Sequence, residues 1–202
     1  MMRSMFNIVL VSITCLFLAS CYEGGQPKLN TDEFIIKTQS GEEFTFDLEV
    51  ADTLDEQMNG LMNRTSLDDD EGMAFPVGIP RIFNMWMRDT QIALDMVFVD
   101  EFGEITHIHW EAQPFSDEVI THAIPAKAVL ELKGGVALDK DINPGDFVFH
   151  PVFKNMHLVD NQELPETRIQ RLEREVREFE AYRKKAQEEA EMRAKDTKED
   201  KK

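Results

Sequence analysis

Apolar and polar positions change their period several times along this chain, and each change predicts an element. In "FIIKTQSGEEFTFDLEV", two strand-like runs flank a Ser-Gly turn, and Phe44, Phe46 and Leu48 alternate with Thr45, Asp47 and Glu49. That is the period of two expected of a half-buried hairpin. Thr53-Leu54-Asp55-Glu56 then fits a capping box, in which Thr53 caps early amides and Glu56 reaches back. The helix it opens should end near Gly60 to Met62, with Leu54, Met58 and Leu61 as its buried stripe. Strand-like pieces follow at Met73 to Phe75, Ile82 to Met87 and Met96 to Val99. A hairpin through "DEFGE" leads to Ile105 to Glu111, with later strands at Ala128 to Lys133 and Phe147 to Val152. "INPGD" places Pro144 and Gly145 where a type II turn needs them. Seven or eight short strands with one small helix predict a mostly β sandwich or barrel, and the absence of βαβ alternation argues against a Rossmann-like sheet.

The two ends follow other rules. Beyond Leu164, Pro165 and Glu166 suit a helix opening, and Ile169, Leu172, Val176 and Phe179 take an a/d spacing, with Glu173-Arg177 and Arg174-Glu178 as i,i+4 pairs. The seam then weakens to Arg183, Ala186 and Ala190, short of a sustained coiled coil. Two readings of 164–202 stay open: a solvated, charged helix docking its first turns on the domain, or a helix that binds a protein partner or a second copy. At the other end, Arg3 and the 13-residue apolar run "FNIVLVSITCLFL" form an export signal too short to span a membrane comfortably.

Leu18-Ala19-Ser20-Cys21 resembles the lipobox of bacterial lipoproteins, which implies cleavage before a lipid-modified Cys21. Cys15 would leave with the signal, so Cys21 is the only thiol of the mature chain, and neither an internal disulfide nor cysteine catalysis is expected. An acylated Cys21 would make the membrane a partner and hold the protein in the bacterial cell envelope, facing the periplasm. Tyr22, rather than Asp, points to the outer membrane. The expected organisation is a signal peptide at 1–20, a lipidated tether at 21–32, a β domain at 33–158 and a charged helical tail at 159–202.

Charge narrows the partners. The net charge of −17 is not spread evenly: 161–202 carries 12 residues of each sign, whereas 22–160 carries 9 basic and 27 acidic residues. A domain with that field repels phosphate backbones, so nucleic acid is not an expected partner and a neutral or cationic ligand suits it better. No Gly-rich phosphate loop, zinc-protease helix or nucleophile elbow is present. His107 and His109 share a strand face without a third ligand spaced nearby, and the methionines 58, 62, 73, 85, 87 and 96 read as core filling unless their sulfurs converge, so neither metal nor cofactor is expected. "DDDEG" lacks the spacing of a calcium loop. In "FNMWMRDTQIALDMVFVD", an extended strand puts Phe83, Met85 and Met87 on one face and Asn84, Trp86 and Arg88 on the other. Trp86 is then either an aromatic platform with Asn84 and Arg88 as hydrogen-bonding neighbours, or a cover over the core edge.

"GLMNRTSLDDDEGMAFPV", "FNMWMRDTQIALDMVFVDEFGEITHI", "AVLELKGG" and "INPGD", in this order and spacing, closely resemble the bacterial and archaeal family numbered 192 among the domains of unknown function. The resemblance runs from about Phe44 to Phe149. It implies a compact β-sandwich of jelly-roll type, often secreted or lipid-anchored, and no established activity. The family's recurring positions fall on Gly60, Leu61, Met62, Arg64, Gly72, Met73, Phe75, Trp86, Met87, Thr90, Leu94, Asp95, Glu131, Gly135, Gly145 and Asp146, and Arg88 stands where Lys is more usual. Packing and turns account for most of these. The polar remainder, Arg64, Arg88, Thr90, Asp95 and Glu131, either gathers beside Trp86 as a pocket for a small-molecule or polysaccharide ligand or forms a buried Arg-carboxylate network. Asp95 and Glu131 could also act as the acid and base of an envelope carbohydrate hydrolase. A non-enzymatic ligand-binding module is the leading expectation, with the hydrolase and a tail-mediated assembly module as alternatives.

Overall fold

The structure, a computed structural model, describes residues 28–160 and 164–199, with side chains as far as residue 185. The signal segment, Cys21 and most of the tether lie outside the described residues. Among the described residues nine strands form: β1 Thr31–Lys37, β2 Glu43–Val50, β3 Glu71–Arg81, β4 Asn84–Met85, β5 Leu94–Val99, β6 Ile105–Ala112, β7 Ile120–Thr121, β8 Ala126–Lys133 and β9 Phe147–Phe149. Helices α1 Leu54–Asn59, α2 Val136–Asp139 and α3 Arg168–Glu199 accompany them.

Seven strands make one sheet in the order β6-β5-β8-β3-β2-β1-β9, and β4 pairs with β7 in a second. The long sheet curls until its edges touch at one end, where Glu104 bridges Phe147, the Ile105 N–H donates to Asp146 O (2.8 Å) and the Val148 N–H donates to Gly103 O (2.7 Å). The mostly β expectation holds, but the result is a curled, open half-barrel. The second sheet that a jelly-roll sandwich requires is reduced to the two-residue β4/β7 ribbon, because loops cover the outer face. One pairing also departs from expectation: β2 and β3 run parallel, with α1 in the crossover between them. Parallel neighbours require such a long connection.

Strand alternation sorts the core into two clusters. Phe46 and Leu48 of β2, Ala74 of β3, Val97 and Val99 of β5 and Leu130 and Leu132 of β8 fill the inside of the curl. Met73 and Phe75, Leu94, Met96 and Phe98, and Val129 belong to a second cluster on the outside, under Leu61, Leu67, Phe83, Met87 and Ile120. All six residues of β5 are buried, which is why this stretch reads as a nearly continuous apolar run.

Local chemistry matches the sequence at several joints. Thr53 and Glu56 form the capping box, and Gly60 closes α1 at φ 49°. Yet α1 buries none of its residues; Leu54 and Met58 are 78% and 62% exposed. The helix is little more than one turn long and lies on the rim, held by Gln57 donating to the carbonyls of Ala51 and Pro76. The "INPGD" turn forms with the Asp146 N–H donating to Asn143 O and Gly145 at φ 98°. The strand expected at Ile82 to Met87 shortens to β4, and the one expected at Phe147 to Val152 ends at Phe149, where Pro151–Phe153 turns into 3-10 helix.

At the C-terminal end, Thr167 and Gln170 make a second capping box: the Thr167 N–H donates to Gln170 Oε1 and the Gln170 N–H to Thr167 Oγ1. The first turn of α3 docks on the β5-β6 hairpin. Arg171 bridges Asp100 (3.5 Å) and Glu104 (3.3 Å) and lies over the Phe102 ring at 4.2 Å, while the Arg168 N–H donates to Glu104. Both expected i,i+4 pairs of α3 are present. Its apolar seam of Ile169, Leu172, Val176 and Phe179 remains exposed.

Gly72 gives a direct test of the register. A Cβ there would overlap the carbonyl oxygen of Glu131 and stand 2.8 Å from Leu48 Cδ2. Gly72→Ala should therefore push β3 away from β8, cost about 3 kcal/mol and lower the melting temperature by roughly 10 °C. Thermal unfolding followed by circular dichroism would show it.

Candidate functional site

The ladders align a row of outward-facing side chains across the sheet. Glu49 of β2 is level with Met73 of β3, Met73 with Glu131 of β8, and Glu131 with Met96 of β5. Two carboxylates thus sit in a strip of thioethers under the loops of the outer cluster. They are two strand spacings apart, about 10 Å.

Their environments differ. Glu49 Oε2 accepts from Arg64 Nη2 at 2.8 Å and from the Leu29 N–H at 2.6 Å, and the acid and guanidinium side chains are 5% and 11% exposed. This pair ties the loop after α1 to β2. Arg64 therefore occupies the buried network that the sequence left as one of two readings. It does not line the recess described below.

Glu131 has no such partner. No hydrogen bond or ion pair to a described residue reaches its carboxyl; the residue, 5% exposed, lies between Met73 and Met96, and burial alone pushes its pKa up to about 8. At neutral pH it is mostly protonated. Its oxygen faces Gly60: Oε2 lies 3.8 Å from where a Cβ on that glycine would stand.

Above it opens a recess of about 40 Å³, lined by Gln57, Met58, Asn59, Gly60, Leu61, Met62, Phe75, Asn84, Met85, Trp86, Thr90 and Glu131. Three of the six residues expected in a ligand site, Trp86, Thr90 and Glu131, come together here. They arrive from β8 and from the segment after β4. Trp86 is 37% exposed at the rim, and Thr90 is buried with its hydroxyl donating to Arg88 O at 3.2 Å. The loops are tied to each other by the Asn63 N–H, which donates to Asp89 O at 2.8 Å.

The other three lie elsewhere. Arg88 points to solvent and pairs with Asp117 at 2.8 Å. Asp95 belongs to the opposite face of the sheet, where it accepts from the N–H groups of Ala137 (2.9 Å) and Glu111 (2.8 Å) and pins α2 to β5. Asp95 and Glu131 are on adjacent strands but on opposite faces, so the structure does not bring them together as a carboxylate pair. Of the methionines, Met73, Met87 and Met96 are core, whereas Met58, Met62 and Met85 line the recess. The face assignment expected around Trp86 holds for Phe83 and Met87, both buried, but Met85 joins Asn84 and Trp86 at the recess because β4 is too short to keep strict alternation.

Sequence reasoning missed the contribution of Gln57, Met58 and Asn59. The available signal was the capping box followed by Gly60: a helix that short ends with its last turn facing whatever the glycine abuts. His107 lies against His122 instead of gathering ligands, with rings stacked at 4.5 Å, and burial lowers both imidazole pKa values. Among the described residues no group of three or more His, Cys, Asp or Glu is placed to hold a metal ion.

Two variants separate the acids. Arg64→Leu leaves the buried Glu49 without its counter-charge, only the Leu29 N–H still donating to it, and should cost about 3 kcal/mol of stability. For Glu131 the folded pKa, about 8, lies above the ordinary 4.5, so its neutral form is compatible with folding at low pH, and stability is lost as pH rises between these values. Glu131→Gln should abolish that loss: equal to the parent near pH 4, the variant should be more stable by about 4 kcal/mol at pH 9 in urea titrations.

Comparison with known proteins places this geometry. The chain superposes on the crystal structure of a protein from Sinorhizobium meliloti 1021, named as a candidate transcription regulator, with a TM-score of 0.61 and 32% identity over 63% of this chain and 99% of that one. A protein of unknown function from Novosphingobium aromaticivorans DSM 12444 matches with a TM-score of 0.58 and 38% identity, over 60% of this chain and 86% of that one. No curated protein matches. Residues 35–150, the half-barrel from β1 to the end of β9, fit the sequence model of the domain-of-unknown-function family DUF192, described as "Uncharacterized ACR", and the chain belongs to that family.

Proposed function

We propose that this domain is a non-enzymatic ligand-binding module, held in the cell envelope by a lipid on Cys21, whose site is the recess between Trp86 and Glu131. The observation that carries this reading is convergence: Trp86, Thr90 and Glu131 line one opening together with Gln57, Asn59 and Asn84. Binding sites commonly pair apolar walls with a few directional polar groups in this way. At about 40 Å³ the recess admits one functional group and not a whole sugar ring. A small molecule, or one protruding group of a polymer, would enter while the rest of the ligand lies against the exposed indole. The face of Trp86 suits that role for a sugar ring or a cation alike.

The regulatory role named for the Sinorhizobium protein is not carried over to this chain. With 27 acidic against 9 basic residues over 22–160, the domain has the wrong field for a nucleic-acid backbone.

Trp86→Ala provides the test. Because the indole is at the rim, its loss should change the melting temperature by less than about 3 °C while weakening retention of an envelope-derived ligand at least tenfold, about 1.4 kcal/mol. The ligand would be sought by mass spectrometry of the purified full-length protein and its affinity measured by fluorescence titration. A large loss of stability with unchanged ligand retention would make Trp86 a piece of core cover and overturn the reading.

A further inference from the structure

We propose that the recess above Glu131 receives the ammonium head of an alkylammonium ligand, a group of the kind carried by a lysine side chain or a polyamine. This rests on the ligand-binding reading and specifies the charge of what binds.

The argument begins with a comparison inside the molecule. Glu49 and Glu131 face outward on either side of Met73, both nearly buried. Glu49 is neutralised by Arg64. For Glu131 no described residue plays that part, although a buried carboxylate needs either a proton or a cation beside it. The recess reaches its carboxyl from solvent, so the missing counter-charge can come from outside.

The walls suit an ammonium group. Gln57, Asn59 and Asn84, whose side chains carry amide oxygens, line the opening, and no Lys or Arg among the described residues does. An NH3+ group needs three acceptors, and the Glu131 carboxylate with these amides can supply them. A volume of about 40 Å³ matches a group near the size of one water molecule, roughly 30 Å³. The alkyl stem would leave between Met58 and Trp86, which are 62% and 37% exposed and offer thioether and indole surface to methylenes and to the adjoining positive charge. The acidic field of the domain draws such a ligand in. A neutral hydroxyl would gain none of this and would leave Glu131 protonated.

That difference is measurable, since an ammonium must displace the carboxyl proton into solvent and a polyol need not. Isothermal titration of the full-length protein would use 1,5-diaminopentane and a lysine-containing tripeptide as the two amine sources, with the neutral trisaccharide of N-acetylglucosamine as the third probe. Repeating each titration in buffers of different ionisation enthalpy counts protons. The expected result is binding of an amine at pH 7 with release of close to one proton (~0.9) and affinity that rises roughly tenfold per pH unit up to about pH 8. The tighter amine names the source. Glu131→Gln, checked for folding by its melting curve, should remove both the binding and the proton release.

Binding of the saccharide in a Trp86-dependent manner with no proton released would overturn the ammonium inference and leave the ligand-binding function standing. Silence from both amines on folded protein would also overturn it, and silence from the saccharide as well would remove the ligand-binding reading with it.

Discussion

Burial of both faces of the same sheet is the constraint on which the rest depends. β3, β5 and β8 carry apolar side chains in both directions, with Met73 opposed to Ala74, Met96 to Val97 and Val129 to Leu130. One layer comes from curling the sheet on itself. The other has to be built from the loop after α1, the β4/β7 ribbon and the segment between Phe83 and Thr90. Fully burying such side chains contributes about 1.5 to 3 kcal/mol each, which is enough to fix these otherwise irregular segments over the strands. Gly72 allows β3 and β8 to approach closely at the centre of this arrangement.

Within that double-faced sheet, Glu49 and Glu131 are two buried acids in opposite circumstances. A loop anchored by Arg64 on Glu49 is a common way to stabilise a buried acid: the charge pair forms once the loop closes, and Arg64 Nη2 and the Leu29 N–H both donate to Glu49 Oε2. Glu131 is the opposite case. A methionine or leucine at its place in the Met73-Met96 row would be better for folding at neutral pH, because no desolvation would oppose burial.

The tail follows a separate logic. Arg171 is held between Asp100 and Glu104 and over Phe102, so α3 is positioned at its first turn by the same hairpin whose edge meets β9. Burial raises the pKa values of both Asp100 and Glu104, against the lowering influence of Arg171. Beyond this clamp the helix makes local ion pairs, and its apolar seam faces solvent.

What depends on neighbours in the chain could be read from the sequence: the Thr53-Glu56 cap, the "INPGD" turn, the two ion pairs of α3 and the strand positions through "MVFV" and "AVLEL" are all short-range, and they appear as expected. The motifs also carried the family and, through it, six polar or aromatic positions. Which of those six share a space was not legible. A one-residue step along a strand sends a side chain to the other face, so only the pairing of β8 with β3 and β5 decides that Glu131 looks outward while Asp95 looks inward. Likewise the parallel β2-β3 pairing and the rim position of α1 turn Met58 from an expected core residue into a wall of the recess. Local chemistry determined the elements, and long-range register alone determined which of their side chains meet.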